Sequence, residues 1–424
     1  MNQYKQIAGT GLAVVALLFA AGCGDKGSSS SSGSSSGGSG EVKMGPGVTA
    51  KGIKLGILTD LSGIFAPLAG PITQSTQLFW NEQNAKGGVC GRKVSLVVRD
   101  HGYDPQKAVV QYRDMGPNVA ALQQLLGSPI TAALLPTLKS DRMLSLLSAW
   151  PSSLLSQDFI VEIGAPYPIE LINGLDYLKD QGKIKAGDKI GHIYFEGEYG
   201  ENGLVGSKYW ASKNGSTVVE QKIQPTDEDM TGPISALKRA GVKAIVLTTG
   251  PTQMASAAGI AAAQGLNVPL LGNNPTYDPA LLGTPAAKAL MANAYIAGSI
   301  APWTVDQSAV KESGAEYVAK YGEKTAKASV MYGTAMAKTM YSVLNQACQD
   351  KDLSRDGLIK ATHEISGLDT GGLISGPLTY TKVGEPSTRS IYLSRPAKVT
   401  GGLTPVDGGK PLESQTAKDY DVAS

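Results

Sequence analysis

The chain has 424 residues, of which 17% are charged, and its formal net charge at neutral pH is +2. This near balance of charge argues against a nucleic-acid-binding protein, because such proteins carry a clustered excess of Lys and Arg. The length that follows residue 46 is too great for one ordinary hydrophobic core, so we expect two domains.

The N-terminus has the pattern of an export signal. Lys5 precedes an apolar run at residues 11–21, and small residues lead from this run to Cys23. Because a membrane-spanning helix needs about 20 apolar residues, the run predicts a signal peptide at residues 1–22 that ends in a lipobox, with Cys23 as the lipidated residue. Ala20 stands where a lipobox usually has Leu, which leaves ordinary cleavage with a spare thiol at Cys23 as the alternative. We expect an exported protein, anchored by lipid to the outer face of the cell membrane or to a periplasm-facing membrane.

Residues 27–40 consist only of Gly and Ser. Such a segment cannot bury enough apolar surface to offset the entropy of ordering, so we expect residues 23–46 to be a flexible tether. The other two cysteines, Cys90 and Cys348, fit an exported protein with one disulfide. Two buried free thiols would look the same in the sequence, and both alternatives stay open here.

From residue 51 onward, short β-rich runs alternate with helical ones. Strands are predicted at residues 51–58, 93–99, 189–195, 217–222 and 242–249, and helices at 71–86, 105–115, 167–181, 201–214, 231–240 and 251–264. Helices at 307–321, 329–349 and 353–364 then lead into strand-like segments at 377–380 and 390–394. Apolar strands separated by amphipathic helices predict an α/β fold with parallel sheets covered on both faces.

Several short motifs resemble those of a known family. They are the sequences IKLGILTDLSG at residues 53–63, NAKGGVCGRK at 84–93, DPQKA at 104–108, YGE at 199–201 and SGPL at 375–378. In this order and spacing they resemble the leucine/isoleucine/valine-binding family, the substrate-binding lipoproteins of ABC importers. The resemblance extends from about residue 50 to about residue 395.

The resemblance implies a type I periplasmic binding fold, in which two Rossmann-like lobes with parallel central sheets are joined by a three-strand hinge. The N-terminal lobe would comprise residues 47–166 and 299–372, and the C-terminal lobe residues 167–298 and 373–424. The implied function is capture of a small organic solute between the lobes: a branched-chain or other amino acid, or a related carboxylic acid or amide. Permease subunits in the membrane are the implied partners, and we expect a monomer without cofactor or metal.

The same resemblance implies the site residues. Thr131, or Ser128, would supply the hydroxyl that follows the third strand and binds a ligand carboxylate. Ser152 would offer its backbone, and Ser153 would replace a hydroxyl that relatives carry at position 154. Each of these residues could instead only cap a helix. Tyr199 would close over the ligand, or pack as a turn residue, and two further residues would face the ligand side chain or simply pack in a helix: Phe65 and Leu68.

One position departs from the family pattern. Asn274 stands where amino-acid-binding relatives carry an acidic residue that pairs with the ligand ammonium. A buried ammonium without a carboxylate partner costs several kcal/mol. We therefore hypothesise that the ligand is not a zwitterionic α-amino acid.

An exported enzyme and a ligand sensor are the two alternatives to an importer component. An exported enzyme is disfavoured because the three histidines, His101, His192 and His363, occur singly, without metal-ligand spacing, and because no nucleophile-elbow motif falls in the folded part. A ligand sensor of the same fold that reports to a signalling partner would use the same cleft. The sequence alone does not separate this sensor from an importer component.

Overall fold

A computed structural model describes residues 42–422. The predicted signal peptide, the predicted lipidation site at Cys23 and the Gly/Ser segment at 27–40 lie outside the described residues. Within the part described, no helix is both long enough and apolar enough to cross a membrane.

The strands and helices alternate along most of the chain. The strands are β1 (Lys43–Met44), β2 (Gly52–Thr59), β3 (Lys93–Asp100), β4 (Ala121–Leu126), β5 (Ser145–Ser148), β6 (Ile160–Val161), β7 (Lys189–Phe195), β8 (Thr217–Ile223), β9 (Ala244–Thr248), β10 (Leu270–Asn273), β11 (Ala294–Gly298), β12 (Asp352–Leu353), β13 (Tyr392–Pro396) and β14 (Leu403–Pro405). The helices are α1 (Ala66–Ala85), α2 (Pro105–Met115), α3 (Ser128–Asp141), α4 (Tyr167–Asp180), α5 (Glu198–Lys213), α6 (Thr231–Ala240), α7 (Pro251–Ala263), α8 (Ala287–Asn293), α9 (Ser308–Tyr321), α10 (Ser329–Gln349), α11 (Arg355–Thr362) and α12 (Gln415–Lys418).

The strands form two central sheets. One has five parallel strands in the order β3-β2-β4-β5-β6, and the other has seven in the order β14-β13-β11-β10-β9-β7-β8. In the larger sheet β7 to β11 are parallel, whereas β13 and β14 join its edge antiparallel. The first sheet is built from residues 52–161 and the second from residues 189–298 and 392–405, while the lobe boundaries given above stay a prediction.

Three crossing segments run side by side between the two sheets. The backbone N–H of Ala165 donates to Oγ of Ser299 (2.7 Å). The backbone N–H of Ser375 donates to the carbonyl oxygen of Ser299 (2.9 Å), and that of Ala301 to the carbonyl of Leu373 (3.0 Å). Two lobes with parallel central sheets and a three-strand hinge are therefore confirmed as the fold.

Two further features concern the ends of the folded part. Strand β1 pairs in parallel with β12, so ordered structure begins before residue 46, the predicted end of the tether. Cys90, which follows α1, and Cys348, in the last turn of α10, are joined by a disulfide bond. Of the two alternatives that the sequence left open, the structure thus has the bridge.

Candidate functional site

A cavity lies between the two lobes at the carboxyl ends of their parallel strands, which is where open α/β sheets bind small ligands. The empty space between its protein atoms amounts to about 770 Å³, a figure that includes the part open to solvent. Its lining consists of Phe65, Leu68, Ile72, Tyr103, Leu126, Gly127, Ser128, Ser148, Trp150, Tyr167, Tyr199, Asn274, Pro275, Tyr277, Pro279, Ile296, Ile300, Lys327, Ala328, Ser329, Gly401 and Leu403.

A turn at Gly127 places Ser128 at the end of β4 beside this cavity. Gly127 has a φ of +100°, and a Cβ atom here would lie 2.9 Å from Cε2 of Tyr103. Only glycine permits both this left-handed backbone and the close approach of the Tyr103 ring. Ser128 then begins α3, and its Oγ lies 3.5 Å from Oη of Tyr167.

Five aromatic side chains from both lobes form one wall of the cavity, which we call the aromatic wall: Phe65, Tyr103, Trp150, Tyr167 and Tyr199. The ring centroids of Phe65 and Tyr103 are 4.9 Å apart, and those of Tyr167 and Tyr199 are 4.8 Å apart. Trp150 continues the wall 6.0 Å from Tyr167. Such edge-to-face and tilted pairs are favourable arrangements of aromatic rings.

The hydroxyl of Tyr199 is engaged on the C-terminal-lobe side. It donates to Oδ1 of Asn273 (2.8 Å) and lies 3.0 Å from the carbonyl oxygen of Thr249. Burial raises the pKa of Tyr199 well above its usual value, so the phenol is neutral. Tyr199 therefore contributes mainly the apolar surface of its ring to the cavity.

Lys327 is the only charged side chain among the described residues that line the cavity. Its ammonium group forms an ion pair with Asp278, and the two side chains are only 16% and 5% exposed. The other carboxylate oxygen of Asp278 accepts the backbone N–H of Ala280 (2.7 Å). Each oxygen of Asp278 therefore has a partner within the protein, and Asp278 itself is not among the described lining residues.

Asn274 also contacts a carboxyl group, but one that does not carry charge into the cavity. Its backbone N–H donates to Oε2 of Glu170 at 3.4 Å, and Glu170 is fully buried. Burial raises the pKa of Glu170 well above its usual value, which favours the neutral acid. Among the described residues, the lining therefore combines a single cation with no carboxylate.

The sequence model of the periplasmic binding protein family matches residues 52–398. The chain belongs to that family. Its relatives are solute-binding proteins outside the cytoplasm rather than enzymes, and the resemblance to the leucine/isoleucine/valine-binding group is confirmed. No curated protein matches the chain in sequence.

Solved structures of similar proteins cover nearly all of this binding protein. A fatty acid ABC transporter substrate-binding protein from Thermomonospora curvata is 45% identical, with a TM-score of 0.87, and the match covers 90% of this chain and 97% of that one. A branched-chain amino acid ABC transporter protein from Thermus thermophilus with bound valine is 18% identical (TM-score 0.76; 88% and 99% covered). A leucine binding protein from Thermotoga maritima is 14% identical (TM-score 0.72; 85% and 99% covered). The last two show the fold alone.

The binding protein brings five of the eight predicted ligand-contacting residues to the cavity lining: Phe65, Leu68, Ser128, Tyr199 and Asn274. Three come from turns or helix starts directly after a strand of a parallel sheet, as the fold requires. Their contact with a ligand stays a prediction.

The other three predicted residues do not line this cavity. Thr131 is one turn further along α3, and its hydroxyl donates to the carbonyl of Gly127 (2.9 Å). Ser152 is bonded to Asn202 of α5, and the hydroxyl of Ser153 donates to Glu198 at the start of the same helix. Their polar groups are therefore used within the protein, and the two serines connect the lobes.

Several lining residues were missed from the sequence, notably Tyr103, Trp150, Tyr167, Lys327 and Ser329. Tyr103 and Trp150 follow strands β3 and β5, so their positions in the sequence could have indicated that they lie near the ligand site. Lys327 and Ser329 precede and begin α10, which was predicted at its correct bounds. A serine at a helix start is so commonly a cap that it gave no reason to suspect a ligand.

Proposed function

We propose that this protein captures a fatty acid, or a similar long-chain monocarboxylate, outside the cytoplasm and delivers it to an ABC importer. The observation that carries the proposal is the lining of the cavity, where the residues described include many aromatic and aliphatic side chains, one cation and no carboxylate. An apolar chain with one anionic end matches this arrangement.

The energetics favour such a ligand over an amino acid. Each methylene group moved from water into an apolar site contributes about 0.8 kcal/mol. An amino-acid ammonium group, by contrast, would lose its hydration and find no carboxylate among the described residues that line the cavity. Such an unpaired buried charge costs several kcal/mol.

A relative supports the same assignment. The Thermomonospora curvata protein, which is described as a fatty acid substrate-binding protein, is 45% identical over 90% of this chain. The valine- and leucine-binding structures are below 25% identity, and their ligands carry no weight for this chain. Asn274, which stands where amino-acid-binding relatives carry an acidic residue, also favours a fatty acid over an amino acid.

Capture would proceed by closure of the two lobes around the ligand, because a ligand that contacts both lobes favours the closed state. Leu68 and Ser128 belong to the N-terminal side of the cavity, and Tyr199 and Asn274 to the C-terminal side. The permease would then recognise the closed form. A lipid on Cys23 and the tether would hold the protein near the membrane, so a Cys23→Ser variant should move from the membrane fraction to the soluble fraction.

A binding experiment tests the ligand class. Residues 41–424 form one compact unit, which should be purified, stripped of bound lipid by denaturation and refolding, and titrated with palmitate, octanoate, leucine and valine. A ligand at 100 times its dissociation constant adds about 2.7 kcal/mol to the free energy of unfolding. We expect palmitate to raise the melting temperature and the two amino acids to leave it unchanged.

A control separates binding from surfactant action. Leu68→Trp fills the cavity, so palmitate should no longer stabilise this variant, whereas an effect on both proteins would indicate adsorption to the surface. If leucine or valine stabilises the protein and palmitate does not, the fatty-acid assignment is refuted and an amino acid is the ligand.

A further inference from the structure

Ser329 has a buried hydroxyl without a partner. The residue is 7% exposed and lines the cavity, and its Oγ has no hydrogen-bond partner among the described residues. An unsatisfied buried hydroxyl costs about 1–3 kcal/mol, so such groups are rare in native structures unless a ligand or water completes them. Ser329 is therefore poised to donate to a group inside the cavity.

Two neighbouring features add positive potential at the same point. Ser329 is the first residue of α10, whose 21 residues run from Ser329 to Gln349. The N-terminus of a helix of this length favours an anion. Lys327 lies two residues earlier and also lines the cavity, with its backbone carbonyl held by Nε1 of Trp303 (2.8 Å). An ammonium group has three N–H donors, so the ion pair with Asp278 leaves donors for a second anion.

The start of α3 lacks this combination. Ser128 is at the limit of hydrogen-bonding distance from Tyr167, and the hydroxyl of Thr131 is bonded to its own helix. No charged side chain of the described lining lies on this helix, and the wall around it consists mainly of aromatic ring surface. This end of the cavity suits an alkyl chain better than a carboxylate.

We propose that the ligand carboxylate is bound at the start of α10 by Lys327 and Ser329, with the alkyl chain against the aromatic wall. This inference rests on the proposed function, and it reverses the polarity that the family resemblance implies, in which a hydroxyl at the start of α3 binds the carboxylate. Asp278 then has a definite role: it neutralises Lys327 in the empty site and opposes the incoming carboxylate.

The proposal requires opposite effects from the two partners of the ion pair. Lys327→Met removes the cation and should weaken palmitate binding about tenfold to a hundredfold, the range for a hydrogen bond to a charged group. Asp278→Asn keeps an oxygen for the N–H of Ala280 and frees Lys327, so it should strengthen palmitate binding severalfold. A purely structural ion pair would give a loss in both variants.

Two controls complete the experiment. Ser329→Ala should weaken palmitate binding by a larger factor than the same substitution at the start of α3, Ser128→Ala. Hexadecanol, which has the same chain and no charge, should bind the wild type and Lys327→Met about equally. Because Lys327→Met leaves the charge of buried Asp278 without its cationic partner, the double variant Lys327→Met/Asp278→Asn removes both charges together. Palmitate binding should still be weakened in this double variant.

The outcomes separate the two proposals. If the wild type binds no fatty acid, the proposed function itself fails. If the wild type binds palmitate, but Ser128→Ala abolishes binding and changes at Lys327 and Ser329 have no effect, the function stands and the carboxylate is bound at α3 instead.

Discussion

Asn202 forms two hydrogen bonds with Ser152 across the opening between the lobes. The backbone N–H of Ser152 donates to Oδ1 of Asn202 (3.1 Å), and Nδ2 of Asn202 donates to Oγ of Ser152 (3.0 Å). Ser152 follows β5 of the five-stranded sheet, whereas Asn202 lies in α5, after β7 of the seven-stranded sheet. Both residues are at least 92% buried. The pair therefore ties the lobes together in the conformation seen here.

Substituting Asn202 should weaken ligand binding although Asn202 does not line the cavity. In Asn202→Ala the two bonds that hold the lobes together in this conformation are lost, and we expect affinity for palmitate to fall about threefold to tenfold. The dissociation constant, and the radius of gyration measured with and without ligand, report this change. Asn118→Ala is a suitable control, because Asn118 is exposed and makes only a 3.3 Å bond to Asp114. An unchanged dissociation constant in Asn202→Ala would show that the pair does not bias closure.

Gly127 should tolerate no side chain. In Gly127→Ala the left-handed backbone becomes strained, and the new Cβ would lie 2.9 Å from Tyr103, so the aromatic wall must shift. We expect a loss of stability of about 1–3 kcal/mol together with a marked loss of palmitate affinity. Gly182→Ala is the matched control: its φ is +67° and no atom lies within 4 Å of the added Cβ. It should lose stability and keep affinity, and equal losses of affinity in both variants would contradict the role assigned to Gly127.

The sequence was sufficient for elements whose ends carry strong local signals. Helix α6 was predicted at its correct bounds, since Gly241 ends it in a left-handed conformation. Helix α1 was predicted to begin at Pro71 but begins at Ala66, because Pro67 already occupies its first turn and Pro71 lies inside it. The strand-like segment at 377–380 forms only an isolated bridge between Leu368 and Leu378.

The site was harder to predict, because its contacts join residues that are far apart in the sequence. A hydroxyl after a strand is a good indication of position, which is why Ser128 lines the cavity. Whether a hydroxyl at such a position contacts a ligand or a neighbouring residue depends on the opposite lobe. Ser152, for example, forms its hydrogen bonds with Asn202 of that lobe. The ion pair between Lys327 and Asp278 joins residues 49 positions apart, and no local sequence pattern indicates it.

The disulfide between Cys90 and Cys348 should stabilise the protein substantially. It closes a loop with a sequence separation of 258 residues, which restricts the unfolded chain. Replacing both cysteines by serine should lower the free energy of unfolding by about 2–5 kcal/mol, measured by urea denaturation. Palmitate affinity should not change, since neither cysteine lines the cavity. A reductant should destabilise the wild type and leave the double variant unaffected; equal sensitivity of both proteins would contradict this assignment.

His192 should make stability depend on pH. The residue is fully buried in β7, with Nε2 2.8 Å from Oγ1 of Thr248 and Nδ1 2.9 Å from Oγ of Ser207. Burial lowers the pKa of His192 to about 3, and the positive charge of Lys208 contributes less. In the unfolded chain the pKa of His192 is about 6.5, so below that pH the unfolded state binds a proton that the folded state does not bind. The stability contributed by the neutral ring is therefore complete above about pH 6.5 and is lost as the pH falls toward 3.

The variant His192→Gln isolates this effect, because an amide also donates and accepts hydrogen bonds but does not titrate. Below pH 6.5 the wild type should lose up to about 1.4 kcal/mol per pH unit more than the variant. Urea denaturation at pH 7 and pH 5 measures the difference. Buried Glu162 and Glu170, whose pKa values are raised by burial, shift stability in the opposite direction but do so equally in both proteins. Parallel pH profiles for the two proteins would mean that His192 binds a proton as readily in the folded state as in the unfolded state, and would contradict this assignment.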